Sequence, residues 1–176
     1  MKKKGLWQSV EPLIGQSSGA DIPEKTFVEL LDGTLSLKDR LAVMEELGCG
    51  KTNQEKHKAF YQKYADKTLK ERVALMDEID SPHKAPTVLH DDNTLSVFWS
   101  YGETDHFTCV CSCKMIQDIK KSDSLPESST YCACCAGNIK ALWQTALGVK
   151  LQLKKVVSSA LISGGKKRCE FLFDVT

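Results

Sequence analysis

The sequence predicts an α+β fold, in which helices pack against a mostly antiparallel sheet, with an N-terminal helical layer. Apolar residues recur at helical spacing through the first eighty residues, whereas from residue 86 onward several stretches alternate apolar with polar residues, as strands do. Pro82 and Pro86 separate the two patterns, because proline cannot continue a helix. We therefore expect a single domain over residues 1–176, with a helical part at 1–80 and a sheet-containing part at 86–176.

Four helices are predicted in the first part, and two of them have clear N-terminal signals. Ser36 can cap the second helix, with Asp39 three residues further on, and Thr68 and Glu71 repeat this arrangement at the fourth. Such a pair satisfies backbone N–H groups that the first turn of a helix leaves open. The third helix is rich in lysine, so we expect its histidine, His57, to be solvated.

The second part is predicted to contain strands and one long helix. A hairpin loop at residues 91–93 precedes a strand with alternating apolar residues. A helix starts near Ala133 and stops at Gly148, because its apolar residues repeat at helical spacing up to this glycine. Strands follow at residues 149–154 and 169–175, and their alternation predicts one buried face each.

Composition excludes several classes of function. Lys and Arg number 24 against 23 Asp and Glu, a net charge of +1, and the charges are mixed along the chain, so nucleic acid is not an expected partner. The basic start at residues 2–4 is not followed by the apolar run of a signal peptide, and no later run reaches membrane-spanning length. We expect a cytoplasmic protein that does not enter a membrane.

Cysteines are the most informative residues for function. Six of the eight lie between residues 109 and 135, a density that in a reduced cytosol indicates metal binding or redox chemistry. Their spacing of one intervening residue departs from the usual zinc knuckle, so the pattern indicates thiol chemistry more strongly than metal binding. On ligand type, metal binding is still favoured, with zinc first and an iron–sulfur cluster second, and reversible disulfides between the two clusters or simple packing stay open. The metal ligands would be a subset of Cys109, Cys111, Cys113, Cys132, Cys134, Cys135 and Cys169, with His106 as a further candidate.

Cys135 is also the candidate catalytic nucleophile. In the first turn of a helix, backbone N–H groups without a partner favour a thiolate and raise its reactivity. A nucleophile also needs a base, and His106 is the histidine nearest in sequence. Packing of Cys135 against Ile139 is the alternative.

The C-terminal part resembles the end of the 4-vinyl-reductase domain, a small-molecule-binding α+β module. The resemblance rests on Cys135, Trp143-Gln144, Leu147-Gly148 and the run from Gly164 to Phe171. The two cysteine clusters, one at residues 109–113 and one at Tyr131–Gly137, are more similar still to an uncharacterised prokaryotic family allied to that domain and to amino-thiazoline-carboxylate hydrolases. The likeness covers about residues 87–175.

The resemblance implies a zinc site and a ligand pocket. In sensor members of the family zinc is held by a Cys at the helix start, a Glu and a Cys near the next strand, and a Cys on the closing strand. Cys135 and Cys169 match the first and last, but Ser158 and Leu161 fall near the middle two and cannot bind zinc. The pocket would take a small apolar or aromatic ligand on Trp99, Phe107, Trp143 and Phe171, unless these aromatic residues form the core.

These observations favour a small-molecule-binding or sensing protein with a cysteine-rich, metal-binding site. We expect no output domain in this protein, so a signal would pass through a partner protein or a homodimer. Two alternatives stay open. One is a small-molecule hydrolase that uses Cys135 or a metal-bound water, and the other is a thiol–disulfide redox protein.

Overall fold

The computed structural model of the chain describes residues 24–46, 54–80, 86–99 and 128–176. Helices pack on a four-stranded antiparallel sheet, which confirms the α+β prediction. In the described ranges, no helix has both the length and the apolar character needed to cross a bilayer. The helices are α1 (Glu24–Thr34), α2 (Leu37–Glu46), α3 (Glu55–Lys63), α4 (Leu69–Ala74), α5 (Asp77–Asp80), a 3-10 helix (Ser129–Cys132) and α6 (Ala133–Leu147), and the strands are β1 (Val88–Leu89), β2 (Thr94–Trp99), β3 (Leu151–Ser158) and β4 (Cys169–Val175).

Helix α6 lies at the centre of the described structure. Its predicted bounds are confirmed, and Gly148 ends it in the left-handed conformation at φ 65°, which glycine adopts without strain. Helices α2 and α3 pack against it, and α6 in turn packs on β3. The predicted N-terminal helical layer therefore reaches the sheet largely through α6. Its buried residues are Ala133, Cys134, Ala136, Gly137, Ile139, Leu142, Trp143, Ala146 and Leu147.

Helices α2 and α6 approach each other closely at Gly137. A Cβ atom at this position would overlap the backbone carbonyl oxygen of Glu45 and lie 2.8 Å from its carbonyl carbon. Only a residue without a side chain fits there, because helices pack this closely only where small residues face each other. The other end of α6 is held by Arg72, whose Nε donates to the carbonyl oxygen of Leu147 at 3.0 Å.

Both predicted helix caps are present. The Thr68 hydroxyl accepts from the backbone N–H of Glu71, whose carboxylate accepts from the N–H of Thr68, which completes the capping box. At α2 the hydroxyl of Ser36 accepts from the N–H of Asp39 at 3.2 Å and donates to its carboxylate at 2.7 Å. Ser36 therefore caps the helix, although the return bond uses its hydroxyl and not its backbone N–H.

The expected solvation of His57 is wrong. The side chain is fully buried, and its ring lies 6.3 Å from that of Trp143 between centroids. His57 and Phe60 are three residues apart, so they share the face of α3 that packs on α6. The lysines of α3 indicated the exposed face of the helix and gave no information on its buried face.

The sheet follows the order β1-β2-β4-β3, so β3 forms one edge. The predicted hairpin joins β1 to β2, and the predicted closing strand is β4. Trp99 is paired with Cys169, which places this cysteine at the same end of the sheet as the start of α6. Phe171 and Phe173 lie on the same face of β4 as Cys169, and both are fully buried.

We predict that Gly137→Ala destabilises the fold by about 2 kcal/mol, because the added methyl group forces the backbones of α2 and α6 apart. Gly33→Ala is the matched control. Gly33 is also helical, no atom lies within 4 Å of the point that a Cβ would occupy there, and alanine should stabilise the helix by about 0.5–1 kcal/mol. Urea unfolding of the two variants measures the difference, and equal effects would contradict the close approach.

We predict that Glu71→Gln reduces the loss of stability on acidification. The pKa of Glu71 lies below its usual value of 4.5, because the hydroxyl and backbone N–H of Thr68 donate to its carboxylate. A carboxylate with a lowered folded-state pKa stabilises the fold above its unfolded pKa, and this contribution disappears as the pH falls through the folded pKa. Urea unfolding across that pH range should show a shallower decline for Glu71→Gln, and for Thr68→Val, than for the natural chain. Parallel curves would refute the prediction.

Candidate functional site

Four cysteines lie within the described residues, and the structure places them at the start of α6 and of β4. Cys132 ends the 3-10 helix, Cys134 and Cys135 lie in the first turn of α6, and Cys169 is the first residue of β4. Cys132 and Cys134 are buried, whereas Cys135 and Cys169 are partly buried against the core. The other predicted site residues, His106, Phe107, Cys109, Cys111 and Cys113, lie outside the described residues.

A buried hydrogen bond fixes the segment that leads into α6. The hydroxyl of Thr130, which is fully buried, donates to the carboxylate of Asp32 on α1 at 2.6 Å. The Nε of Arg40 on α2 lies 3.2 Å from the same carboxylate oxygen. Cys132 follows Thr130 by two residues, so its position is set by α1 and α2 as well as by α6.

The connection between β3 and β4 brings two of the thiols to one turn. The hydroxyl oxygen of Ser159 lies 3.0 Å from the sulfur of Cys132. The next residue, Ala160, donates its backbone N–H to the sulfur of Cys169 at 3.3 Å. The two sulfurs, 37 positions apart in sequence, therefore contact adjacent residues of the turn formed by residues 159–162, which we call the thiol turn.

The other hydrogen bonds of Ser159 indicate whether Ser159 or Cys132 is the donor in the contact between them. Its hydroxyl oxygen accepts from the backbone N–H groups of Leu161 at 3.1 Å and Ile162 at 3.3 Å. A hydroxyl has two acceptor lone pairs and one proton, so with both lone pairs engaged the proton is available for Cys132. The thiol turn can thus donate to both sulfurs, which favours sulfur that carries negative charge, as in a metal-bound thiolate.

Ser159 belongs to the site, because its hydroxyl contacts the sulfur of Cys132, and the sequence did not predict this role. Ser158 is the last residue of β3 and Ser159 follows it, and a serine pair at the end of a strand is a signal for a turn held by side-chain hydroxyls. The hydroxyl of Ser158 instead donates to the carbonyl oxygen of Arg168 at 2.6 Å. Ser158 and Leu161, the positions near the family's two middle zinc ligands, flank Ser159 and Ala160 in the chain.

Fewer backbone N–H groups lack a partner at the start of α6 than the prediction of a reactive Cys135 requires. The 3-10 helix continues into α6, and the backbone N–H of Ala133 already donates to Thr130. The helical segment begins at Ser128, whose hydroxyl accepts from the N–H of Thr130 at 3.2 Å. Cys135 therefore lies seven residues beyond the side-chain cap, where the influence of open N–H groups is weak.

The described residues supply part of a metal site. Thiolate sulfur is a preferred ligand of zinc and of iron–sulfur clusters, and Cys132 and Cys169 converge on one turn. In residues 24–46, 54–80, 86–99 and 128–176, no group of three or more Cys, His, Asp or Glu side chains is placed to hold a metal ion. A closed tetrahedral site would need further ligands from beyond these ranges.

Three of the four predicted ligand-binding aromatic residues, Trp99, Trp143 and Phe171, lie within the described residues, in the layer between α6 and the sheet. The rings of Trp99 and Trp143 meet edge to face, with centroids 6.0 Å apart, and the indole N–H of Trp143 donates to the hydroxyl of Thr87 at 3.0 Å. Trp143 and Phe171 are buried. Burial in the core is the alternative to ligand binding that the sequence left open for these residues. Their contact with a ligand stays a prediction.

A small hollow of about 220 Å³ opens beside the thiol turn. Its lining is rich in hydroxyl groups and contains one cation and three aliphatic side chains, so it is more polar than the apolar pocket that the resemblance implies. The hollow is lined by Ser129, Val156, Val157, Ser158, Ser159, Ile162, Ser163 and Lys167.

We predict that Ser159→Ala destabilises the fold by about 1–3 kcal/mol, because two backbone N–H groups lose a buried acceptor. Ser163→Ala is the matched control. Ser163 also accepts from a backbone N–H, that of Lys167, but in an exposed position where water can replace it.

A double-mutant cycle with Cys132→Ala tests the bond between Ser159 and Cys132 directly. A coupling free energy of about 0.5–1.5 kcal/mol is expected for residues that share a hydrogen bond. Additive effects of the two substitutions in urea unfolding would show that the two side chains do not interact.

Comparisons of the chain with protein-family models, with curated proteins and with solved structures give no match. The resemblance to the 4-vinyl-reductase domain therefore stays a prediction from the residues named above.

Proposed function

We propose that this protein binds or senses a small molecule in the cytoplasm through a thiolate site at the thiol turn. The observation that carries the proposal is the pair of contacts from Ser159 and Ala160 to the sulfurs of Cys132 and Cys169. Buried or partly buried sulfurs in a purely structural role need only apolar neighbours. Hydrogen-bond donors aimed at two sulfurs from one turn support a role for charged sulfur.

Zinc is the metal that best suits such a site, with an iron–sulfur cluster as the second choice. Cys132 and Cys169 would be two of the ligands, and the cysteines at residues 109–113 would be the source of the others. A bound zinc ion would supply either a structural crosslink or a Lewis acid that polarises a ligand. The donors of the thiol turn would stabilise the negative charge of its thiolates.

The hollow beside the thiol turn is the ligand site that we favour. It shares Ser159 and Ile162 with the thiol turn, so a molecule in the hollow would lie beside the serine whose hydroxyl oxygen is 3.0 Å from the sulfur of Cys132. Its volume of about 220 Å³ suits a molecule smaller than most drug-sized ligands. A lining that combines hydroxyl groups with the aliphatic side chains of Val156, Val157 and Ile162 favours a compact ligand with both polar and apolar parts.

Elemental analysis of the full chain purified without oxygen tests the proposal. We expect about one zinc per chain, and we expect Cys132→Ser and Cys169→Ser each to lower the metal content severalfold, because a tetrahedral site that loses one thiolate binds zinc weakly. Cys49→Ser is the control for the loss of a thiol, since Cys49 is distant in sequence from both clusters.

Other results would change the proposal in defined ways. Stoichiometric iron with visible absorbance would show that the site holds an iron–sulfur cluster and not zinc. A metal-free chain whose cysteines become protected from alkylation on mild oxidation would indicate disulfide chemistry. A metal-free chain with unchanged thiols, or metal content that Cys132→Ser and Cys169→Ser leave intact, would overturn the thiolate site.

A further inference from the structure

A second and larger cavity lies at the opposite end of β3 from the thiol turn. It has a volume of about 530 Å³ and is a partly open cleft lined by residues of α2 and α6, by residues 150–153 and by Thr176, and we call it the lysine cleft. Its volume is within the range of about 300–1,000 Å³ that small-molecule sites occupy. Leu153 in its lining and Val156 in the lining of the hollow are three positions apart on β3, about 10 Å along the strand. No residue lines both cavities, so the cleft is separate from the hollow.

The floor of the lysine cleft contains a buried ion pair. The carboxylate of Glu45, whose side chain is 5% exposed, lies 3.2 Å from the ammonium group of Lys140, which is 23% exposed. Its other oxygen accepts from the backbone N–H of Leu153 at 3.3 Å. Removing two charges from water is unfavourable, and an apolar pair of similar volume would hold α2 and α6 together equally well. The ion pair makes the lining of the cleft polar and charged, which suits a ligand with polar groups.

Two cations of the cleft lie outside the ion pair. Lys38 and Lys150 contribute two exposed ammonium groups beside the carboxylates of Asp39 and Glu45, and neither forms an ion pair with another described residue. Both carboxylates are already engaged, since Glu45 pairs with Lys140 and Asp39 accepts from the hydroxyl of Ser36 at 2.7 Å. Lys38 and Lys150 therefore leave two ammonium groups that attract an anion.

The backbone of β3 is not available in the cleft. The side-chain oxygen of Gln144 accepts from the N–H of Leu151 at 2.7 Å, and Glu45 accepts from the N–H of Leu153. An extended peptide therefore cannot add to the sheet at this edge without displacing both side chains. The amide oxygen of Gln144 is used in this way, and its NH₂ group can donate to a ligand.

We propose that the lysine cleft binds a small molecule that carries a carboxylate or phosphate group. Lys38 and Lys150 contact the anionic group, Gln144 donates to it, and Lys140 contributes when the anion competes with Glu45 for its ammonium group. This proposal does not depend on the thiolate site, and the metal content of the chain does not bear on it.

The test is a titration of the isotope-labelled full chain with succinate and, separately, with inorganic phosphate at low ionic strength, followed by NMR. Saturable shifts at the amides of residues 144 and 150–153 are expected, with a dissociation constant of about 1 mM or lower. The two probes distinguish a carboxylate ligand from a phosphate ligand.

Charge variants identify the groups involved. Lys150→Gln should weaken binding about tenfold, because a hydrogen bond to a charged group is lost. Lys155→Gln is the matched control, since Lys155 is exposed on the same strand but outside the cleft, and it should leave binding unchanged. Glu45→Gln should tighten binding severalfold, because Lys140 loses its internal partner and becomes available to the anion.

Three results would overturn the proposal. If neither probe produces saturable shifts, the cleft is only a solvated groove. If Lys150→Gln and Lys155→Gln weaken binding of the probe equally, anions are attracted diffusely to surface lysines. Weaker binding after Glu45→Gln, in a variant whose spectrum shows the native fold, would mean that the anion does not compete with Glu45 for Lys140, and the assigned contacts would be wrong.

Discussion

The close approach of α2 to α6 at Gly137 is the constraint on which the described structure depends. Because α6 carries no side chain there, the backbone of Glu45 can lie directly against it. This contact brings the carboxylate of Glu45 to Lys140 on α6 and to the first residues of β3. A larger residue at position 137 would separate these groups and remove the floor of the lysine cleft.

The same helix also sets the geometry of the thiol turn. Cys132 stands at the start of α6, and Cys169 stands on β4, which is paired with the strand that α6 covers. The turn between β3 and β4 contacts both sulfurs, so its position relative to α6 determines whether they share a site. Thr130 holds the helix start to α1 through Asp32, and this bond limits how far Cys132 can move from the turn.

Elements with local signals could be predicted from the sequence, and contacts between distant residues could not. The bounds of α6 and β4 and the caps at Ser36 and Thr68 follow from spacing and from nearby side chains. The burial of His57 could not be foreseen, because it depends on α6 packing against α3. Ser159 was missed for the same reason, since its role follows from its contact with Cys132, 27 positions earlier in the chain.

The two sulfurs and the thiol turn meet only when α6, β3 and β4 are in place together. In the unfolded chain the three are separate, so any ion or molecule that needs all of them binds the folded state alone. Such a ligand shifts the folding equilibrium by mass action, by about 2.7 kcal/mol at a hundredfold excess over its dissociation constant. That amount is a large fraction of the stability of an ordinary domain. Occupancy of the site would therefore help to determine how much of the protein is folded.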